Sequence, residues 1–215
     1  MGLRLIISIL VGGIAGECMR RLSIKLINNR SEEVLQTPFL ISRWSPIVWM
    51  LVGAAGCGII SILVAELVSS VGFMVFFMAL ICISTVDACI RKIPNELLVV
   101  LLVVKVVTIV INADYTGLGP SLIGFVAGCI LFTIPSQIGI GIGWGDVKLA
   151  AVIGFCVGWI GMFEAVAVMA VAMGIYTLYL LTTHKGSLKT KVAMGPPLSL
   201  GMMIALLFPL EKMFS

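Results

Sequence analysis

Apolar residues in this chain come in long unbroken runs rather than in alternation with polar ones. The runs fall at about 3–19, 47–66, 71–89, 96–112, 118–138, 147–160, 162–182 and 195–210. A helix needs about 20 apolar residues to cross a bilayer, and several of these runs approach that length. Turn-forming residues separate them: Ser69-Ser70-Val71-Gly72, Asn112-Ala113-Asp114, Gly117, Gly119-Pro120, and Gly139 through Gly145. The pattern predicts an all-α, polytopic transmembrane helix bundle of about eight spans. Connections are mostly short, so residues 1–215 read as a single integral membrane domain. The longest polar stretch is about 20–46.

Composition sharpens this. Of 215 residues, 60% are hydrophobic and 11% charged, against about 25% charged in a soluble domain. Lipid is therefore the natural solvent, and every backbone polar group must be satisfied within a helix or a closed barrel. Continuous runs select helices, because barrel strands alternate. Charge placement tests the cuts independently. With the first loop cytoplasmic, the internal stretches are 20–46, 91–95, 139–148 and 184–194. They hold Arg20, Arg21, Lys25, Arg30, Arg43, Arg91, Lys92, Lys148, Lys185, Lys189 and Lys191, eleven of the fourteen Lys and Arg residues. The other side keeps Arg4 and Lys212, with Glu66, Asp114, Glu164 and Glu211. The positive-inside rule then places both termini outside.

Two alternatives for parts of the chain carry less weight. Arg4 followed by the apolar run Leu5 to Gly16 has the length of a signal peptide, but no A-x-A cleavage site follows, so it reads as a first span. The six cysteines, at 18, 57, 82, 89, 129 and 156, mostly lie inside apolar runs and have no CxxC spacing. They read as small core residues, and neither a disulfide framework nor a metal site is expected. Nucleic acid is not an expected partner, and no organic cofactor is called for.

Ionisable residues within or at the ends of spans are costly and mark functional sites. Asp87, Asp146, Lys148 and Lys105 qualify; Glu17 and Glu96 sit at span ends within reach of water. Asp87 falls one helical turn before Arg91-Lys92, at the cytoplasmic edge, and Pro94-Asn95 suits the start of the next helix. Asp146 follows glycines at 141, 143 and 145. These predict an irregular turn that enters the membrane at Asp146. Alternation of the spans places both aspartates on the same side. Two carboxylates from different helices at one wet edge suit general acid–base chemistry. Like charges close together share one proton; the ionised partner activates water and the protonated one donates to a carbonyl oxygen. The lone His184 lies in a basic loop, which leaves Ser/His and Cys/His catalysis without support.

Taken with their neighbours, these residues resemble the type IV prepilin leader peptidases, the bacterial GxGD aspartyl proteases. The resemblance rests on Asp87 with Ile93-Pro94-Asn95, and on Gly143-Trp144-Gly145-Asp146-Val147-Lys148-Leu149. Weaker matches are Ile41-Ser42-Arg43-Trp44-Ser45-Pro46 and Met194-Gly195-Pro196-Pro197-Leu198-Ser199-Leu200-Gly201. It implies an aspartic endopeptidase in the inner or plasma membrane. Such an enzyme removes the short basic leader of prepilins or pseudopilins on the cytoplasmic side, beside their hydrophobic helix. Asp87 and Asp146 match the catalytic pair, and Gly143, Gly145, Lys148, Pro94 and Asn95 supply the surrounding motif. Many members carry two CxxC pairs in an expanded first loop, associated with zinc and with N-methylation of the new N-terminus. Here residues 20–46 contain no cysteine, which removes the zinc site and puts the methyltransferase activity in doubt.

Other readings of these residues exist. Asp87 could pair with Arg91 at i+4, and Asp146 could cap the following helix. Lys148 reads as a snorkelling interface residue. Gly53, Gly56, Gly58, Gly124 and Gly128 read as close-packing points between helices. At the level of function, an ion-coupled transporter or channel would also use intramembrane acids and broken helices. Against that stand the lack of an internal inverted repeat and the placing of both aspartates at one edge. A non-catalytic partner in a secretion machine is a third reading, and the retained pair of aspartates argues against it.

Overall fold

The computed structural model describes residues 2–30, 38–113, 115–138, 142–183 and 193–210. Among them there are helices and no strands. The long helices are α1 (Gly2–Asn28), α3 (Ser45–Leu63), α4 (Leu67–Ile90), α5 (Asn95–Asn112), α6 (Leu118–Gln137) and α7 (Trp144–Thr182). All six are long and apolar enough to cross a membrane. Two shorter helices, α2 (Pro38–Ile41) and α8 (Gly195–Leu207), and a 3₁₀ turn at Tyr115–Gly117 complete them. The predicted all-α membrane bundle is thus the observed architecture. Glu211, Lys212, Asp114, Gly139, Gly141, His184, Lys185, Lys189 and Lys191 lie outside the described residues.

Two elements differ from the sequence reading. The first helix does not stop near residue 19 but runs on to Asn28. Its polar extension is held by side chains: Glu17 takes Arg20 in a two-pronged ion pair (2.7 and 2.8 Å) and Arg21 at 2.8 Å, the i+3 and i+4 partners of a helix face. Ser23 and Ile27 of the same stretch are fully buried, and Ser23 Oγ meets Cys82 Sγ of α4 at 3.2 Å. Arg20 also donates to the Leu40 carbonyl, at 2.9 Å. It is therefore engaged by protein groups, where the sequence suggested mainly a topology signal.

The second difference is α7. Its 39 residues would make a straight rod of about 58 Å, almost twice the ~30 Å hydrocarbon core. Gly158 interrupts it, with φ 76° and ψ 178°, a backbone region essentially reserved for glycine. The predicted runs 147–160 and 162–182 are the two parts of this broken helix.

The chain forms two compact units, residues 1–115 and 116–215. In the first, α1 and α3 approach until only glycine fits: a Cβ on Gly16 would strike the Trp49 carbonyl, and one on Gly53 the Gly12 carbonyl. A Cβ on Gly56 would enter the Phe77 ring of α4. In the second, Gly124 and Gly154 oppose each other across α6 and α7, Gly128 lies on the Ala150 carbonyl, and Gly201 of α8 lies on the Ala165 carbonyl. Lipid gives no hydrophobic drive between helices, so close backbone approach and dispersion supply the attraction. Gly53, Gly56, Gly124 and Gly128 are the packing points expected; for Gly58 the neighbour is the Ile9 side chain, 3.1 Å from a Cβ there.

Candidate active site

Asp87 lies in the last turn of α4 and is 4% exposed. Its carbonyl accepts the Arg91 N–H at 2.8 Å. Arg91 then turns left-handed (φ 53°, ψ 39°) and ends the helix, as a residue just past a helix end commonly does. Pro94 is buried and sits at the N-cap of α5, and the exposed Asn95 opens that helix. The turn between them is tied to the end of α1: Lys92 Nζ donates to the Arg30 carbonyl (3.0 Å), and Arg30 pairs with Glu96 at 2.5 Å. Below Asp87, Val86 and Ile83 are fully buried and Thr85 donates its hydroxyl to the Ile81 carbonyl at 2.8 Å. Asp87 is thus a carboxyl group at the buried side of a helix end whose exit is fastened by charged groups.

Asp146 lies in the first turn of α7 and is half-buried. Gly143 is the N-cap, in extended conformation, and its N–H donates to Asp146 Oδ2 at 3.2 Å. Glycine has no side chain to return a bond, so this is one half of a capping box, made by the third helical residue. The irregular turn expected around Asp146 is therefore shorter than the sequence suggested. The helix already begins at Trp144, and Gly145 lies within it. Gly143 itself has φ −76°, which any residue adopts. What its missing Cβ provides is room: a Cβ would stand 3.3 Å from Asp146 Oδ2. The reading of Asp146 as an N-cap moves by three residues, since it serves the cap from within the helix. A carboxylate is favoured there by the amide dipoles.

Ser136, near the end of α6, donates its hydroxyl to the Ile142 carbonyl at 3.0 Å. This fixes the chain immediately before Gly143. Sequence reasoning passed over Ser136; Pro135-Ser136 ahead of a glycine-rich turn was the available signal. Lys148 is exposed on α7, and Lys105 is half-buried midway along α5. Beyond Gly158, Glu164 is 8% exposed and accepts the Leu210 N–H at 3.2 Å. It therefore fastens the exit of α8, although the charge pattern had put it at an outer span end.

These features define a class: a polytopic helical membrane protein with one aspartate closing a transmembrane helix and another opening one. Residues 74–178 match the type IV leader peptidase family. The match runs from α4 to α7, and the resemblance seen in the motifs is borne out. Both aspartates and the Ile93-Pro94-Asn95 turn fall inside the match; Ile41–Pro46 and Met194–Gly201 fall outside it. No curated protein and no solved structure is similar enough to match.

Proposed function

We propose that this protein is an aspartic endopeptidase that removes the leader of type IV prepilins or pseudopilins at the cytoplasmic face of the plasma membrane, with Asp87 and Asp146 as its acid–base pair and residues 1–215 acting as one peptidase domain. The carrying observation is the peptidase-family match, which spans both aspartates. Their placing at helix ends supports it, since a carboxyl group there meets both water and the apolar flank of a membrane-bound substrate. The basic residues Arg91, Lys92 and Lys148 accompany both ends, the signature of the cytoplasmic side.

The two carboxyl groups hold one proton between them. The ionised carboxylate removes a proton from a water molecule as its oxygen attacks the scissile carbonyl carbon. The protonated partner gives its proton to the carbonyl oxygen, forming a neutral tetrahedral diol. Return of a proton to the amide nitrogen releases the leader and the mature N-terminus, with no covalent intermediate. The bound Gly143 amide keeps Asp146 in place between turnovers. The family match favours this chemistry over the ion-coupled reading.

The test is mass spectrometry of a co-expressed prepilin's N-terminus. The wild-type protein is expected to yield the leaderless form, and Asp87→Asn and Asp146→Asn, inserted at normal levels, none. Complete processing by either variant would falsify the assignment.

A further inference from the structure

Within residues 1–115, helices α1, α4 and α5 enclose a groove of about 890 Å³ that plays no part in the chemistry above. Apart from Arg4, Ser8, Ser70 and Cys57, its lining is apolar. It follows α1 from Leu3 to Leu22, about 28 Å, nearly the ~30 Å depth of the hydrocarbon core.

One end of the groove is polar. Arg4 is half-buried there and donates to the Ala65 carbonyl at 2.5 Å and the Val64 carbonyl at 2.7 Å. These two bonds cap α3 and use two of the five guanidinium N–H donors. Among the described residues Arg4 has no carboxylate partner. Ser70, in the first turn of α4, is fully buried, lines the groove, and its hydroxyl has no hydrogen-bond partner. A buried hydroxyl without a partner is unfavourable and points to an acceptor that occupies the site. Ser8, one turn along α1 from Arg4, lines the same end, about 6 Å deeper.

We propose that this groove holds one glycerophospholipid from the leaflet at the Arg4 end. The phosphate diester sits on the Arg4 guanidinium, an ester carbonyl accepts from Ser70, and one acyl chain follows the groove. A chain from that leaflet reaches the bilayer midplane, ~15 Å in, near Ala15. The order of groups along the groove, cation, then hydroxyl, then hydrocarbon, is the order of groups in such a lipid.

The experiment is native mass spectrometry of the full chain, delipidated in detergent and titrated with 1-palmitoyl-2-oleoyl-phosphatidylglycerol. Wild type is expected to retain one lipid under activation that strips the rest. Arg4→Gln, and Val11→Trp at an exposed position on the groove wall, should each need at least tenfold more lipid for the same occupancy. The matching diacylglycerol, lacking the phosphate, should bind wild type at least tenfold more weakly. Equal retention by all three proteins, or equal binding of diacylglycerol, would overturn the proposal. So would one-for-one displacement of the lipid by a synthetic transmembrane peptide, which would make the groove a helix site.

Discussion

A single methyl group separates the observed Asp146 geometry from a disturbed one. Gly143 leaves a Cβ-sized space 3.3 Å from the carboxylate that its own amide holds. Gly143→Ala is expected to shift that carboxylate and lower leader cleavage by about 10- to 100-fold, the scale of a small misplacement of a reacting group. Steady-state cleavage of a detergent-solubilised prepilin measures it; unchanged turnover would separate the cap from catalysis. At Gly158 the backbone itself is the constraint, because φ 76° with ψ 178° excludes other side chains. Gly158→Ala should cost about 1–3 kcal/mol, seen as a lower unfolding midpoint. Arg30→Ala removes an ion pair whose glutamate is 66% exposed, and it should change stability by no more than ~1 kcal/mol. Where the intramembrane carboxyl groups fall was legible from sequence, since an aspartate there is conspicuous against apolar neighbours. Their local partners were not: Ser136 and Ile142 are six positions apart and meet only because α6 ends where it does.

Among the helices, boundaries followed hydropathy wherever lipid was the only solvent. The runs 96–112 and 118–138 became Asn95–Asn112 and Leu118–Gln137 almost unchanged. Boundaries failed where side chains continued the helix into polar sequence, as in α1, where Glu17, Arg20 and Arg21 satisfy one another. A window average sees only loss of hydropathy there. The α1–α3 contact gives a sharper expectation. Gly16→Leu drives a side chain into the Trp49 backbone and should separate the two helices, which lowers the yield of folded protein after detergent extraction. Leu10→Ala, at a 63% exposed position of the same helix, should leave it unaffected.

For the whole chain, the expected arrangement has both termini outside and the basic loops inside. In a variant with its six native cysteines replaced, Glu66→Cys should react with an impermeant maleimide added outside intact cells, and Lys92→Cys only after permeabilisation. The reverse pattern would invert the proposed site. The order of amino acids alone fixes that this chain seeks lipid, that it does so as helices, and where its costly charges fall, because each follows from the transfer free energy of nearby residues. Three-dimensional packing settles the rest: the facing glycines of α6 and α7, Asp146 serving its cap from within the helix, and an apolar groove with Arg4 at one end. Such features depend on distances of a few ångströms between groups far apart in the chain, which no local average of hydropathy records.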